Sequence, residues 1–138
     1  MRNTNVKQKN GFKMKVGEFK PIDGYVIPNK TKAEKVIEHI TKSFNKYLDD
    51  SGMEKHFPDH KKDAWKDLII RESEEENEMV EILFDGGYCY DMINETWSEC
   101  GYFNDEIADE MFGLKSLEKK GHYSEPYASW KISVYNWS

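Results

Sequence analysis

An α+β domain, with two or three helices packed on one face of a mostly antiparallel sheet, is the fold this sequence predicts. Three observations lead to it: a stretch with three- and four-residue apolar spacing, several short runs that alternate apolar and polar residues, and turn-forming residues between them. At 138 residues the chain has material for a single core, and 38% hydrophobic with 14% aromatic residues is the composition of a folded protein. Residues 1–11 are polar and basic and are expected to form a flexible N-terminal arm, with 12–138 as the single α+β domain.

Phe12, Met14 and Val16 alternate with Lys13, Lys15 and Gly17, and Gly24 opens a second short apolar run that Pro28 ends, so two opening strands are expected. Thr31-Lys-Ala-Glu34 has the spacing of a capping box, in which hydroxyl and carboxylate each satisfy the other residue's amide, and predicts a helix start. The helix runs from about Lys32 to Asp50, because Val36, Ile37, Ile40, Phe44 and Leu48 fall on one face, and Gly52 is placed to end it. Asp59 is a candidate cap for a further helix carrying Ala64, Trp65, Leu68 and Ile69, although a strand through Leu68–Arg71 is equally compatible with the β-branched pair. Five carboxylates in Glu72–Glu78 require a solvated turn. Met79–Asp85, Gly86-Gly87 and Tyr88–Ile93 then read as strand, turn and returning strand, a β-hairpin. Asn104, followed by Asp105 and Glu106, starts a helix burying Ile107, Ala108, Met111 and Phe112, with Gly113 as an interruption before Leu114 and Leu117. The alternation of Trp130, Ile132 and Val134 against Lys131, Ser133 and Tyr135 predicts a closing strand.

Charge is distributed unevenly along this order. Between Glu72 and Leu114 there are fourteen carboxylates and no Lys, Arg or His, which leaves twelve acids against all twenty cations outside, a segment at −14 between flanks totalling +8. Apolar residues woven through it exclude a disordered acidic tail. Glu72, Glu74, Glu75, Glu76 and Glu78, with Asp85, Asp91, Glu95, Glu99, Asp105, Glu106, Asp109 and Glu110, are the candidate partner-facing carboxylates. Trp97 and Tyr102, in the least periodic part of the segment, are the candidate aromatic anchors.

Catalytic chemistry has no comparable signature. Gly86-Gly87 lacks the residues of a phosphate-cradling or dinucleotide loop, so no cofactor is expected. His56 and His60 are separated by Pro58 without a third nearby ligand, so no metal site is assigned. Ser98, Cys100 and the histidines His39, His56, His60 and His122 form no motif in sequence. Cys89 and Cys100 are expected to be free thiols. No apolar run approaches the ~20 residues of a membrane span and no secretory signal is visible, so the expected compartment is the cytoplasm. Eighteen lysines to two arginines argue against direct base readout, which relies on the guanidinium fork, and the acidic centre would repel a polyanion.

The remaining class is a binding protein. Small, acidic and without a catalytic set, the chain resembles in general character the phage-encoded inhibitors of host enzymes and defence systems, such as anti-CRISPR and anti-restriction proteins, and the acidic immunity proteins that neutralise basic nuclease toxins. The resemblance implies a non-enzymatic inhibitor whose carboxylates imitate a nucleic-acid backbone toward a basic protein partner such as a nucleic-acid-processing enzyme. The alternatives are a small enzyme with a carboxylate or histidine site, and a nucleic-acid-binding module using the basic flanks.

Overall fold

The computed structural model describes residues 31–99 and 101–136. The expected arm over residues 1–11, both opening strands and Cys100 lie outside them. The described chain runs α1 (Lys32–Ser51), α2 (His60–Trp65), β1 (Ile69–Glu72), β2 (Val80–Leu83), α3 (Gly87–Asn94), α4 (Asp105–Phe112), α5 (Leu114–Lys119), β3 (His122–Ala128) and β4 (Lys131–Asn136). It is an α+β fold with an entirely antiparallel sheet of order β1-β2-β4-β3.

Helix α1 begins and ends where the sequence places it. The Thr31 hydroxyl accepts the Glu34 amide at 3.1 Å, the Glu34 carboxylate accepts the Thr31 amide at 2.8 Å, and Gly52 closes the last turn in the left-handed region. Val36, Ile37, Ile40, Phe44 and Leu48 are all buried. Phe44 meets Trp65 edge-on at 5.0 Å and Phe112 at 5.7 Å, which joins α1, α2 and α4 in one core. The Trp65 indole N–H donates to Asn45 Oδ1 at 2.8 Å, so its burial leaves no orphan donor.

The sheet sorts its residues by the period of two. Ile70 pairs with Ile82 and Ile82 with Ile132, Val80 pairs with Val134, and all five are buried on the side that α1 covers. On the other side Arg71 pairs with Glu81 in register and donates to its Oε2 at 2.6 Å. Lys131 reaches Glu81 Oε1 at 3.0 Å and Glu78 Oε1 at 3.4 Å.

The predicted hairpin at 79–93 does not form. Val80–Leu83 is a strand, but its partners are β1 and β4, and Gly87–Asn94 is helical. The glycine pair has a different purpose from a hairpin turn: Gly87 has φ +79, and a Cβ there would lie 2.6 Å from Asp67 Oδ2, so glycine lets the chain leave the strand past Asp67. Within α3 the buried Cys89 and Ile93 stand four apart, a helical spacing that the half-buried Tyr88, Tyr90 and Met92 disguise as alternation.

Smaller corrections follow from pairing. Glu78, assigned to a solvated turn, is 9% exposed because Ser73 Oγ donates to it at 2.7 Å and Lys131 faces it. Trp130, expected inside, lies in the β3–β4 turn and is exposed, whereas Ser133, expected on the polar side, is buried. Asp59 precedes α2 without making a side-chain cap bond, and both readings of 59–71 hold in part, helix to Trp65 and strand from Ile69. Strand β3 was not anticipated. Among the described strands it lies at the edge of the sheet, and it carries Pro126, a residue that weakens any strand signal and is tolerated at edges and bulges.

Candidate partner-binding surface

The loop after α3 is fastened at its neck. Glu95 ends α3 in the left-handed region at φ 49, the sole non-glycine residue so placed among those described, and its carboxylate accepts Asn104 Nδ2–H at 2.9 Å. The Asn104 amide donates to Ile93 O at 2.7 Å, and the Asn104 side chain caps α4 by accepting the Ile107 amide at 3.2 Å. One asparagine thus closes the loop and starts the next helix, the arrangement of a compact loop whose ends meet. Asn94 Nδ2 donates to Ser129 O at 2.8 Å and ties this neck to the β3–β4 turn.

Between the loop and that turn lies an open cleft of about 690 Å³. Tyr90, Tyr102 and Phe103 supply rings, Pro126 and Ala128 the strand side, and Asp105 a carboxylate. No cation is among its described lining residues. Trp97 and Tyr102, the two anchors chosen from sequence, are 63% and 65% exposed. Sequence reasoning missed Tyr127 and Trp130, 68% and 40% exposed, whose rings meet edge-on at 6.5 Å. Their signal was the β3–β4 turn, which goes unseen once β3 is unseen. Lys131 lies 4.7 Å from the Tyr127 ring centroid, so one ring here already faces an ammonium group.

The predicted carboxylates do not gather in one patch. Glu72, Glu75, Glu76 and Glu78 line a shallow groove with Thr31, Lys32 and Asn136, at the end of the sheet where Val80 pairs with Val134. Glu74 is exposed in the same turn. Strand β2 then carries the chain roughly 10 Å to the opposite end, where Leu83 pairs with Lys131. From there come Asp85, Asp91, Glu95 and Glu99, of which Asp85, Asp91 and Glu99 are exposed. Asp91 accepts the Thr96 hydroxyl at 3.0 Å. Along α4, Asp105 enters the cleft, and a narrower groove continues past Asp109 to Lys115 and Glu118. Glu106 is exposed, and Glu110 looks the other way, onto a hollow shared with Lys46 and Asp50 of α1. Burial raises the Asp109 carboxyl above the usual range; Lys115 opposes this, and Asp105, Glu118 and Glu106 add to it.

His39 Nε2 lies 3.0 Å from Gly113 O and 2.9 Å from Ser116 Oγ, and Lys120 Nζ lies 3.3 Å from His39 Nδ1. An ammonium can only donate, so Nδ1 accepts and the ring proton is on Nε2, pointing at Gly113 O and Ser116. The ring therefore offers Ser116 no lone pair and cannot act as its base; it ties α1 to the carbonyl that ends α4. Burial, with Lys120 and His122 beside it, lowers the His39 pKa despite the Gly113 bond. His60 packs edge-on against Tyr88 at 5.1 Å, and His56 is exposed. Among the described residues no three His, Cys, Asp or Glu side chains are grouped to hold a metal ion, and no helix is long and apolar enough to cross a membrane. No protein family, curated protein or solved structure matches this chain.

Proposed function

We propose that this is a non-enzymatic, cytoplasmic binding protein whose acidic, aromatic-studded surface docks on a basic protein, in the manner of an inhibitor that imitates a nucleic-acid backbone. The observation that carries the reading is the juxtaposition of exposed rings with exposed acids: Trp97 and Tyr102 stand in a tied loop flanked by Asp91, Glu99, Asp105 and Glu106. Two large rings more than 60% exposed are costly to keep in water and are the residue type that anchors protein interfaces. The carboxylates supply long-range attraction toward a basic surface and repulsion toward nucleic acid. The second group, Glu74–Glu76, extends the field at the other end of the sheet and is the weaker candidate, since no exposed ring among the described residues accompanies it.

Capture on the immobilised protein from lysate, at low and moderate salt, tests this. The expected result is a basic nucleic-acid-processing protein bound best at low salt, with association slowed when Asp91, Asp105 and Glu106 are changed to lysine and folding unaffected. A bound fraction insensitive to both salt and these reversals would refute the reading.

A further inference from the structure

We infer that the cleft between the 95–104 loop and the β3–β4 turn is a receptor for a cationic side chain, guanidinium or alkylammonium, borne by an extended basic segment of a protein partner. The inference rests on the proposed acidic docking function and goes further by assigning it to one cleft and one kind of group. Two features of the cleft select that chemistry. Its rings are accessible: Tyr102 is 65% exposed, and Tyr90 and Phe103 line the cleft with it. Among the described residues that line it, Asp105 is the one that is charged and none is basic, so the rings and the carboxylate meet no cation there.

The dimensions agree. A volume of about 690 Å³ admits one long side chain with part of its backbone, and the open mouth leaves room for the chain to continue. The narrower groove of about 320 Å³ shares Phe103, Asp105 and Pro126 with the cleft and leads to Asp109, Lys115 and Glu118, so the carboxylates free of a neighbouring ammonium are concentrated at the cleft end. An apolar side chain could fill the same space, but it would leave Asp105 facing a hydrophobic group and would draw nothing from the surrounding charge. Strand addition at the β3 edge is disfavoured, because Pro126 supplies no N–H and the register slips between Pro126 and Ala128.

The test uses the full chain and three labelled peptides of about nine residues, alike except for arginine, lysine or norleucine at two positions, followed by fluorescence anisotropy. Tyr102→Ala and Asp105→Asn are expected to weaken the arginine peptide about 5-fold each, whereas changing Glu74, Glu75 and Glu76 to glutamine together should cost less than about 2-fold. The norleucine peptide should bind at least about 5-fold more weakly than either cationic one. Equal binding of norleucine and arginine peptides would overturn the assignment of a cation site. If the Glu74–Glu76 variant loses binding while Tyr102→Ala and Asp105→Asn retain it, the cleft is wrong and the acidic docking surface stands. If the wild-type chain binds neither cationic peptide at low salt, both fail. Circular dichroism of each variant excludes unfolding, since both cleft side chains are exposed.

Discussion

Replacing Lys131 with methionine is expected to destabilise the domain at neutral pH and to do so less as the pH falls. The Lys131 side chain is 12% exposed and stands between two side chains that are more buried still, that of Glu78 at 6% and that of Glu81 at 10%. Methionine keeps most of the stem and removes only the charge. Glu81 retains Arg71 at 2.6 Å, but Glu78 retains only the Ser73 hydroxyl at 2.7 Å on Oε1, and its Oε2 is buried without any partner. Removing one member of a buried pair costs about 3–5 kcal/mol, because the charge left behind is unsolvated. That is a large part of a total stability of about 5–15 kcal/mol. With a urea slope of about 2 kcal/mol per molar, the unfolding midpoint should drop by roughly 2 M.

The pH dependence fixes the cause. In the native protein burial would raise the Glu81 carboxyl, but Arg71 and Lys131 more than offset it and hold its pKa below the usual value. Its contribution is therefore present above the unfolded carboxylate pKa of about 4.3 and is lost as the pH falls through the lower folded value. In Lys131→Met a buried carboxylate has lost its cation and proton uptake removes a buried charge, so the gap to the wild type narrows as the pH falls from about 7 toward 5; the lowered pKa of His39 costs both proteins alike and cancels in that gap. Urea titrations followed by tryptophan fluorescence at the two pH values measure the gap, and Lys131→Met combined with Glu78→Gln should recover most of the loss at neutral pH. A variant within about 0.3 M of wild type at pH 7, or a deficit unchanged at pH 5, would refute the account.

Thr31→Ala should cost about 1 kcal/mol in the same titration by opening the capping box, and a loss below about 0.3 kcal/mol would mean that α1 is held by packing alone. Gly113→Ala should cost more than the roughly 1 kcal/mol of placing a side chain in the left-handed region, because at φ +66 the new methyl meets Ser43 Oγ and lies 2.9 Å from His39 Nε2. Adding Ser43→Ala should return part of that loss, and strict additivity of the two would show that the contact is not made. Burial pushes the Cys89 thiol up, so a thiol reagent at neutral pH should modify it only in denaturant; equal native and denatured rates would show that α3 does not cover it.

What was legible in the sequence was what local chemistry decides. The Thr31 box, the stripe from Val36 to Leu48, the Gly52 stop and the Asn104 cap depend on residues within a turn of one another, and all four are found. The failures share a different cause. Gly86-Gly87 reads as a hairpin turn by composition, but which way the chain turns is set by Asp67, twenty residues earlier and in contact only after folding. Tyr88, Tyr90 and Met92 pack partly against the core from a helix, so their alternation measures amphiphilic ring placement and not strand geometry. β3 is invisible because an edge strand with Pro126 needs neither a hydrophobic face nor a full ladder.

The site was legible in part for the same reason. Trp97 and Tyr102 could be chosen because a segment without period has no buried face to present, and exposure follows. The carboxylates could not be mapped, because a run continuous in sequence need not be continuous in space once a strand passes through it. Val80–Leu83 lies within the acidic run, and its four residues separate Glu72–Glu78 from Asp85 and all that follows. The pairing of β2 between β1 and β4, a long-range event, therefore divides one charge block into two fields. If both fields serve one partner, that partner must span the length of the sheet; if only the field with the rings does, then lysine substitutions at Glu74–Glu76 should leave the dissociation rate unchanged while substitutions at Asp105 and Tyr102 raise it. Dissociation rates report contacts made in the complex, whereas both fields speed encounter, so the two cases separate on that measurement even when the salt dependence of association does not distinguish them.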